Sequence, residues 1–422
     1  MGITFLHTAD LHFGMENYGR VDPATGMNRR LVDFREAFSR ALDYALERDV
    51  DLVLIVGDCF KSRDPSATHQ REFAACLRKV LERRIPVVVV LGNHDTPNAF
   101  GRAHALAVYG SLGVPRLVLF ERPDVKVVET FHGPLQIAAL PYASRAFLLE
   151  KEAYKGRSLE EVNRLVAEKC ASIIEGLAER ADPSLPTVFA YHGSVGGAIF
   201  GSERSVMLGH DLVLPYSAVE LRRPDGQPVW DYVALGHLHR HQDLNPGRHP
   251  PVVYPGSIER IDFGEEREEK GVCWVEVERG RARYEFLPLP ARPFVTLRLD
   301  CTAAGAEPLP ALEAALAARE PGSLREAVVR VIVAVAPGGE RFDEAPLRAR
   351  LAREGVYYLA GIVREVRGEA PRGRDSQLTE RLTPLAAIER YLAAAPEFAP
   401  RRERLLAAAR ELIQALGEGE GR

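Results

Sequence analysis

One pattern occurs five times in this chain: a short apolar run is followed directly by Asp, Asn or His. In one case, residues 86–90 form a Val-rich run that leads into Asn93, His94 and Asp95. Such a run, bounded by Pro and Gly, predicts a buried strand. Polar groups that follow buried strands gather at the carboxyl edge of a sheet, where α/β proteins bind ligands. The other four cases are Asp10-Leu11-His12, Gly57-Asp58, His192-Gly193 and Gly236-His237-Leu238-His239.

Apolar periodicity between these runs predicts helices. Residues 31–48 carry apolar side chains at helical spacing, for example Leu31, Phe34 and Phe38. The N-terminal part of the chain therefore alternates strand and helix, which predicts an α/β fold with parallel connections. The predicted strands include 3–9, 51–56, 86–90, 187–191 and 232–235, and the predicted helices include 31–48, 67–84, 99–112 and 159–180.

Composition narrows the class of protein. The chain has 422 residues, 46 % hydrophobic and 27 % charged, as expected of a globular protein with a full core. Its formal net charge of -4 neither predicts nor excludes nucleic-acid binding, because a basic groove can lie on a mildly acidic protein.

We recognise no signal peptide and no membrane span of ~20 residues, so we expect a soluble cytoplasmic protein. Five widely spaced cysteines predict free, mostly buried thiols.

Prolines indicate a domain boundary. Pro288, Pro290 and Pro293 follow the last strand pattern of the N-terminal region. Beyond them we expect a small α+β unit, then a Gly-, Pro- and Arg-rich stretch and two helical stretches at 384–394 and 400–416. The predicted parts are residues 1–287, 288–370 and 371–422. Arginines that could contact phosphates, with acidic residues interleaved, are Arg341, Arg348, Arg350, Arg353, Arg364, Arg367, Arg372 and Arg374.

The side chains at the predicted strand ends are metal ligands by type. They are Asp10, His12, Asp58, Asn93, His192, His237 and His239. Nitrogen and oxygen ligands without a thiolate suit Mn, Fe, Co or Zn better than Ca or Mg. Seven ligands are too many for one ion, but two ions fit if a carboxylate bridges them, as in enzymes that catalyse displacement at phosphorus. Each short motif alone is usually a turn, whereas all five in order predict a dinuclear site.

The ordered set D-x-H, G-D, G-N-H-D, H-G and G-H-x-H resembles the calcineurin-type metallophosphoesterases. The stretches 6–14, 253–260 and 263–271 are similar to the Mre11/SbcD branch, which contains DNA-repair nucleases. The similarity covers residues 1–290 well, and the remainder in layout only. It implies an α/β fold in which a metallophosphoesterase β-sandwich flanked by helices precedes a small α+β capping domain and C-terminal helices.

The resemblance implies a role for each site residue. One Mn²⁺ ion would be held by Asp10, His12 and His239, the other by Asn93, His192 and His237, and Asp58 would bridge them. His94 would face the scissile phosphate, and Asp95 would orient His94. Some family members carry a His three residues after the bridging Asp, where this chain has Lys61, so whether Lys61 handles substrate stays open.

For function, the resemblance implies a metal-dependent nuclease in DNA double-strand break repair. It would act as a 3′→5′ exonuclease on duplex ends and as an endonuclease on single strands or hairpins. Its partners would be DNA, a Rad50/SbcC-type ATPase docked on the C-terminal helices, and a second copy paired through residues 67–84 and 99–112. Two alternatives stay open: a metallophosphoesterase acting on nucleotides or small phosphate esters, and a binding module without catalysis. The complete ligand set disfavours the second.

Overall fold

The fold is built from two large sheets with helices packed on them. The computed structural model describes residues 2–97, 102–143, 157–201, 212–303, 305–337, 342–367, 385, 388–389, 391–392 and 401–419. The strands are β1 (Ile3–Thr8), β2 (Leu52–Val56), β3 (Val87–Val90), β4 (Leu117–Phe120), β5 (Asp124–Thr130), β6 (Gly133–Leu140), β7 (Thr187–His192), β8 (Ser194–Val195), β9 (Val213–Leu214), β10 (Tyr232–Gly236), β11 (Gln242–Asp243), β12 (Val252–Tyr254), β13 (Gly271–Glu278), β14 (Arg281–Pro288), β15 (Phe294–Cys301), β16 (Val328–Val335) and β17 (Tyr358–Val366). The helices are α1 (Arg29–Glu47), α2 (Ala67–Leu81), α3 (Ala107–Ser111), α4 (Leu159–Arg180), α5 (Tyr216–Val219), α6 (Pro308–Ala317), α7 (Ala345–Arg353) and α8 (Arg402–Gly419).

The first sheet has the strand order β14-β13-β1-β2-β3-β4. Strands β1 to β4 pair in parallel, as the alternation of strands and helices predicts. Strands β13 and β14 join antiparallel at one edge. In register, His7 lies opposite Leu54, and Leu54 lies opposite Val88.

The second sheet has the order β11-β12-β10-β7-β6-β5. Strands β6, β7, β10 and β12 are parallel neighbours, whereas β5 and β11 are antiparallel edge strands. Gly236 lies opposite His192 in this register, so the two strands that precede the predicted histidine ligands end level with each other.

Alternate side chains of β2 show how the layers form. Val53 and Ile55 pack with residues of α1 and α2, such as Phe38 and Phe73. Leu54 points the other way, into a cluster shared by both sheets. A strand buried on both faces reads as a continuous apolar run, which is why residues 52–56 carry no polar residue. The second sheet packs its other face on α4, so the predicted β-sandwich flanked by helices is confirmed.

Side-chain caps account for several helix starts. The Asn28 side chain accepts a hydrogen bond from the Arg30 amide at the start of α1 (2.9 Å). Ser158 and Glu161 form a capping box at the start of α4. The helix predicted at 99–112 is wrong in its described part, where only Ala107–Ser111 is helical. Leu106, the residue before this helix, offers no side-chain cap.

By packing, the chain divides into two compact units. The first comprises Met1–Leu297, Leu316–Val331 and Glu344–Ile362, and the second comprises Arg298–Ala315, Ile332–Asp343 and Val363–Arg422. Within the first unit, Phe294, Val328 and Tyr357 pack with Tyr18 and Phe263, which explains why residues beyond Pro288 belong to it. The predicted domain limits at 287 and 370 stay predictions. A third sheet has the order β15-β16-β17.

Two further expectations concern the described residues. No described helix is both long enough and apolar enough for a membrane span. All five cysteines are free and buried, as their spacing predicts. The helix predicted at 384–394 lies largely outside the described residues, as do Arg341, Arg372 and Arg374.

Candidate metal centre

The structure brings the seven predicted ligands to one edge of the two sheets. Strand β1 leads into Asp10 and His12, β2 into Asp58, β3 into Asn93, and β10 into His237 and His239, whereas His192 is the last residue of β7. Because β1, β2 and β3 are parallel neighbours, their carboxyl ends lie side by side, and the same holds for β7 and β10. Residues far apart in sequence therefore meet.

Two hydrogen bonds join the sheets at this edge. The His192 ring bonds through Nδ1 to the Val56 carbonyl at the end of β2 (2.8 Å). The His237 amide donates to Asp10 Oδ2 (2.9 Å). The first bond places the Nδ1 proton toward a carbonyl and leaves His192 Nε2 free to face the centre.

Glycines allow the ligands to approach the neighbouring backbone. A Cβ at Gly57 would overlap the His192 ring, and Gly57 also has a φ of +84°. A Cβ at Gly92 would overlap the Asp58 carboxylate. The glycines of the Gly-Asp and Gly-Asn-His-Asp motifs are therefore required by close packing around the site.

Several site residues have a positive φ, a backbone conformation that residues other than glycine rarely adopt. The angles are 53° at Asp10, 44° at His12, 53° at Asp58 and 100° at His237. Such conformations cost on the order of 1–3 kcal/mol each and persist where surrounding contacts fix them. Here the Asp10 amide donates to the Gly57 carbonyl (3.1 Å) and the His12 amide to the Asp58 carbonyl (3.0 Å).

One group of ligand atoms forms around His12. Its Nε2 lies 3.1 Å from His239 Nε2 and 3.9 Å from Asp10 Oδ1. Asp10 is fully buried, and its Oδ1 has no hydrogen-bond partner among the described residues. A buried carboxylate oxygen without a donor is costly unless a cation balances it.

A second group forms around Asn93. Its Oδ1 lies 3.0 Å from His192 Nε2 and 3.1 Å from His237 Nδ1. An amide oxygen and two imidazole nitrogens at these distances are a set of donors that can share one cation.

Asp58 lies between the two groups. Its Oδ1 is 3.5 Å from His192 Nε2, while its Oδ2 is 3.9 Å from His12 Nε2. The backbone amide of His94 donates to Oδ1 (2.8 Å), which fixes the carboxylate in this orientation. Each group of ligands therefore faces a different oxygen of the same carboxylate.

In the cation-free centre, burial and the neighbouring charges act in opposite directions on the pKa values of the predicted ligands. Burial raises the pKa of Asp10 and lowers that of His12, because both would be charged away from water. Burial also disfavours a charged Asp58, but the imidazoles of His192, His94 and His12 outweigh it and hold the pKa of Asp58 below its usual range. Burial opposes a charged His192 as well, yet the Asp58 carboxylate raises the pKa of His192 to about 9.

His94 and Asp95 lie next to the ligands and differ in their contacts. The His94 ring is 36 % exposed, and its Nε2 is 3.9 Å from Asp58 Oδ2. Burial lowers the pKa of His94, partly offset by Asp58 and by a hydrogen bond to the backbone of Lys61. Asp95 accepts hydrogen bonds from the amides of Gly92 (3.0 Å) and Cys59 (3.1 Å).

The Asp95 carboxylate joins two loops. Its hydrogen bonds connect the loop after β3 to the loop after β2 and go to backbone amides. Asp95 therefore holds the backbone that carries Asp58, and the orientation of His94 by Asp95 stays a prediction. Burial and the nearby Asp58 charge raise the pKa of Asp95 to about 7.

The donors fit a pair of divalent metal ions. Three overlapping sets of His and Asp side chains offer ligand atoms within 4.8 Å of one another: Asp10-His12-His239, His12-Asp58-His94 and Asp10-Asp58-His192. Positive charge would stabilise two features of this centre. One is Asp10 Oδ1, which has no hydrogen-bond partner among the described residues, and the other is the Asp58 carboxylate between the two groups. The residues can hold two divalent cations.

Sequence reasoning assigned no role to two buried charged residues beside His239. Glu265 accepts a hydrogen bond from the His239 ring (2.7 Å), and Lys270 forms an ion pair with Glu265 (2.8 Å). Both lie in the stretch 263–271 that resembles the Mre11/SbcD branch, and this was the only signal for them.

The chain is similar to several known proteins. A family model described as calcineurin-like phosphoesterase matches residues 3–241. The chain is 30 % identical over 331 residues to the SbcD subunit of the nuclease SbcCD from Rhodobacter capsulatus, covering 74 % of each protein. It is 28 % identical over 286 residues to "Uncharacterized metallophosphoesterase YhaO" of Bacillus subtilis, covering 67 % of this chain and only 60 % of that protein. A dimetal phosphatase from Danio rerio matches with a TM-score of 0.40 and 10 % identity, covering 67 % of this chain and 98 % of that one.

Replacing Asp58 by Asn tests whether it bridges the two ligand groups. The amide keeps the shape but removes the negative charge shared by both groups, so Asp58→Asn should bind neither Mn²⁺ ion in an equilibrium titration in which the parent binds two. Asp64→Asn is the matched control, because that side chain follows on the same loop and is 85 % exposed. Two Mn²⁺ ions bound to Asp58→Asn with parental affinity would contradict the bridge.

The raised pKa of His192 predicts that metal binding displaces a proton. Below its pKa of about 9 the ring is charged in the cation-free protein, and a charged imidazole cannot ligate a metal. The apparent affinity for Mn²⁺ should therefore rise between about pH 6.5 and pH 8.5, by up to about tenfold per pH unit for one proton. Calorimetry at several pH values measures it, and a flat affinity across that interval would refute the expectation.

Proposed function

Because the chain belongs to the calcineurin-like phosphoesterase family, we propose that it hydrolyses phosphodiester bonds in DNA as the nuclease subunit of an SbcCD-like complex. The observation that supports this most is the centre itself, in which one carboxylate lies between two ligand groups with His94 beside it. The similarity to a protein named as part of a nuclease, at 30 % identity over 74 % of both chains, supports DNA as the substrate.

The contacts support the proposed ligand assignments. Asp10, His12 and His239 would hold one cation, Asn93, His192 and His237 the other, and Asp58 both. We propose Mn²⁺ as the metal because of the resemblance to the Mre11/SbcD branch, and the mixed imidazole and oxygen donors are compatible with it. When bound, two such ions supply Lewis-acid stabilisation of phosphoryl oxygens and lower the pKa of the water that attacks phosphorus.

We propose that His94 acts on the leaving group. Its ring is partly exposed beside Asp58, so it faces the side from which a phosphate can approach. One nitrogen of the His94 ring already donates to the backbone of Lys61, so the other can donate to a substrate only when the ring carries a second proton. Burial lowers the pKa of His94, so that proton is readily released. We assign that donor to the departing 3′-oxygen, where it would stabilise developing negative charge.

The partners belong to the same proposal. A member of an SbcCD-like complex would bind a Rad50/SbcC-type ATPase, and Leu405 on α8 is 38 % exposed, as an apolar residue that docks on a partner would be. A homodimer and a cytoplasmic location complete the proposal.

The predicted arginine contacts to DNA have less support, because Arg348 and Arg350 pair with Glu344 (2.7 Å) and Glu354 (2.5 Å).

The test of the substrate compares two reactions of the full chain with Mn²⁺. End-labelled duplex and hairpin DNA should be cleaved, and bis(p-nitrophenyl) phosphate should also be hydrolysed because it presents only a phosphodiester. Asp58→Asn should abolish both activities. Hydrolysis of the dye without cleavage of any DNA would contradict the nuclease and favour the alternative that acts on small phosphate esters.

The role of His94 predicts that the loss depends on the leaving group. His94→Ala should bind both Mn²⁺ ions but cleave DNA about 10²–10⁴-fold more slowly, since it lacks the donor at the leaving oxygen. Its rate on bis(p-nitrophenyl) phosphate should fall much less, because nitrophenolate is a stable anion that needs no such donor.

His132→Ala is the control for that comparison. His132 pairs with Asp51 (2.9 Å), which lies at the other end of β2 from Asp58, so its removal should leave both rates unchanged. An His94→Ala protein that cleaves DNA at the parental rate with metal bound would show that the assignment is wrong.

A further inference from the structure

A buried ion pair lies directly behind one of the proposed ligands. We propose that Glu265 is a positioning residue for the metal centre: its carboxylate fixes the His239 ring so that Nε2 faces the cation of the His12 group, and Lys270 holds that carboxylate in place. This inference rests on the proposed function, because it takes His239 to be a ligand.

The ring contact decides which nitrogen of His239 can bind a metal. Glu265 Oε1 lies 2.7 Å from His239 Nδ1. A carboxylate oxygen at this distance accepts the Nδ1 proton, so the lone pair must be on Nε2. Nε2 is also the atom that lies 3.1 Å from His12 Nε2, within the first group of ligands.

The second carboxylate oxygen shows that Glu265 is ionised. Oε2 accepts from the Ile261 amide (3.0 Å) and pairs with Lys270 Nζ (2.8 Å). Both partners of Oε2 are N–H donors, and the buried Lys270 ammonium needs a negative charge beside it. Glu265 therefore acts only as an acceptor, which is the condition for holding Nδ1–H.

Lys270 holds His239 at a second point. Its ammonium is fully buried and donates to the His239 carbonyl (3.1 Å) as well as to Glu268 (2.9 Å). The Ser257 amide donates to the same carbonyl (3.0 Å). The stretch that follows β12 thus fixes both the backbone and the ring of His239.

A structural role alone does not account for this pair. Two charges buried in this way lose their hydration, and an apolar pair of similar volume is often at least as stable. Contacts that orient a metal ligand and raise its basicity give the pair a function, since a carboxylate hydrogen-bonded to a ligating imidazole strengthens the metal site.

The same contact makes the two ligand groups unequal. His239 is backed by a charged carboxylate, whereas His192 is backed by the neutral Val56 carbonyl (2.8 Å). A negative charge behind the imidazole favours a cation in front of it. We therefore expect the His12 group to bind its cation more tightly than the Asn93 group.

The test titrates the metal-free full chain with Mn²⁺ alone and resolves two dissociation constants by calorimetry and electron paramagnetic resonance. Glu265→Gln keeps an oxygen acceptor for Nδ1–H but removes the charge. It should weaken the tighter site by about 10–100-fold and leave the weaker one unchanged. The matched control is Glu266→Gln, since Glu266 bonds Thr296 (2.9 Å), not His239. A general loss of packing would weaken both sites together.

A second variant distinguishes loss of the positioning role from misfolding caused by a buried charge that has lost one partner. Glu265→Gln leaves the Lys270 ammonium with Glu268 as its remaining counter-charge, whereas Glu265→Gln with Lys270→Met removes both charges of the pair. Because Lys270 also holds the His239 carbonyl, the double variant should show at least the same loss at that one site. Folded Glu265→Gln protein with both constants unchanged would overturn the inference. Failure of the parent to bind Mn²⁺ would instead overturn the proposed metal centre, together with the positioning role.

Discussion

The contact between the two sheets at the carboxyl ends of their strands is the constraint on which the site depends. There the His192 ring, carried by one sheet, bonds to the Val56 carbonyl of the other (2.8 Å), and Gly57 leaves the space for it. Bulkier residues at this point would separate the sheets and, with them, the two groups of ligands. The glycines of the motifs are thus as necessary to the centre as the ligands that follow them.

That close approach concentrates charge that the protein alone does not balance. Asp10 and Asp58 are buried together among imidazoles, and burial raises the pKa of Asp10 while the surrounding histidines hold that of Asp58 low. A cluster of this kind costs stability in the absence of cations, and two divalent ions would offset it. The positive φ angles at Asp10, His12 and Asp58 add to that cost. We therefore expect folding and metal binding to be coupled at this edge.

The strands at the site could be predicted from the sequence, because an apolar run and the polar residues that follow it form a local pattern. The apolar runs at 52–56 and 87–90 read as buried strands, and the polar residues after them mark the edge where ligands meet. What local sequence does not carry is long-range pairing. The bond of Glu265 to His239, separated by 26 residues, and the bonds of Asp95 to amides on the loop after β2 depend on how loops fold back. In the described part of the helix expected at 99–112, only residues 107–111 are helical, although Ala103, Ala105 and Leu106 have high helix propensity.

Residues between Asp10 and His239 should hold a pair of cations across the Asp58 carboxylate. Anomalous diffraction from crystals of the full chain soaked in Mn²⁺ would locate the ions. We expect two peaks about 3.5–4 Å apart, one beside each oxygen of Asp58. A single peak, or peaks away from Asp58, would contradict it.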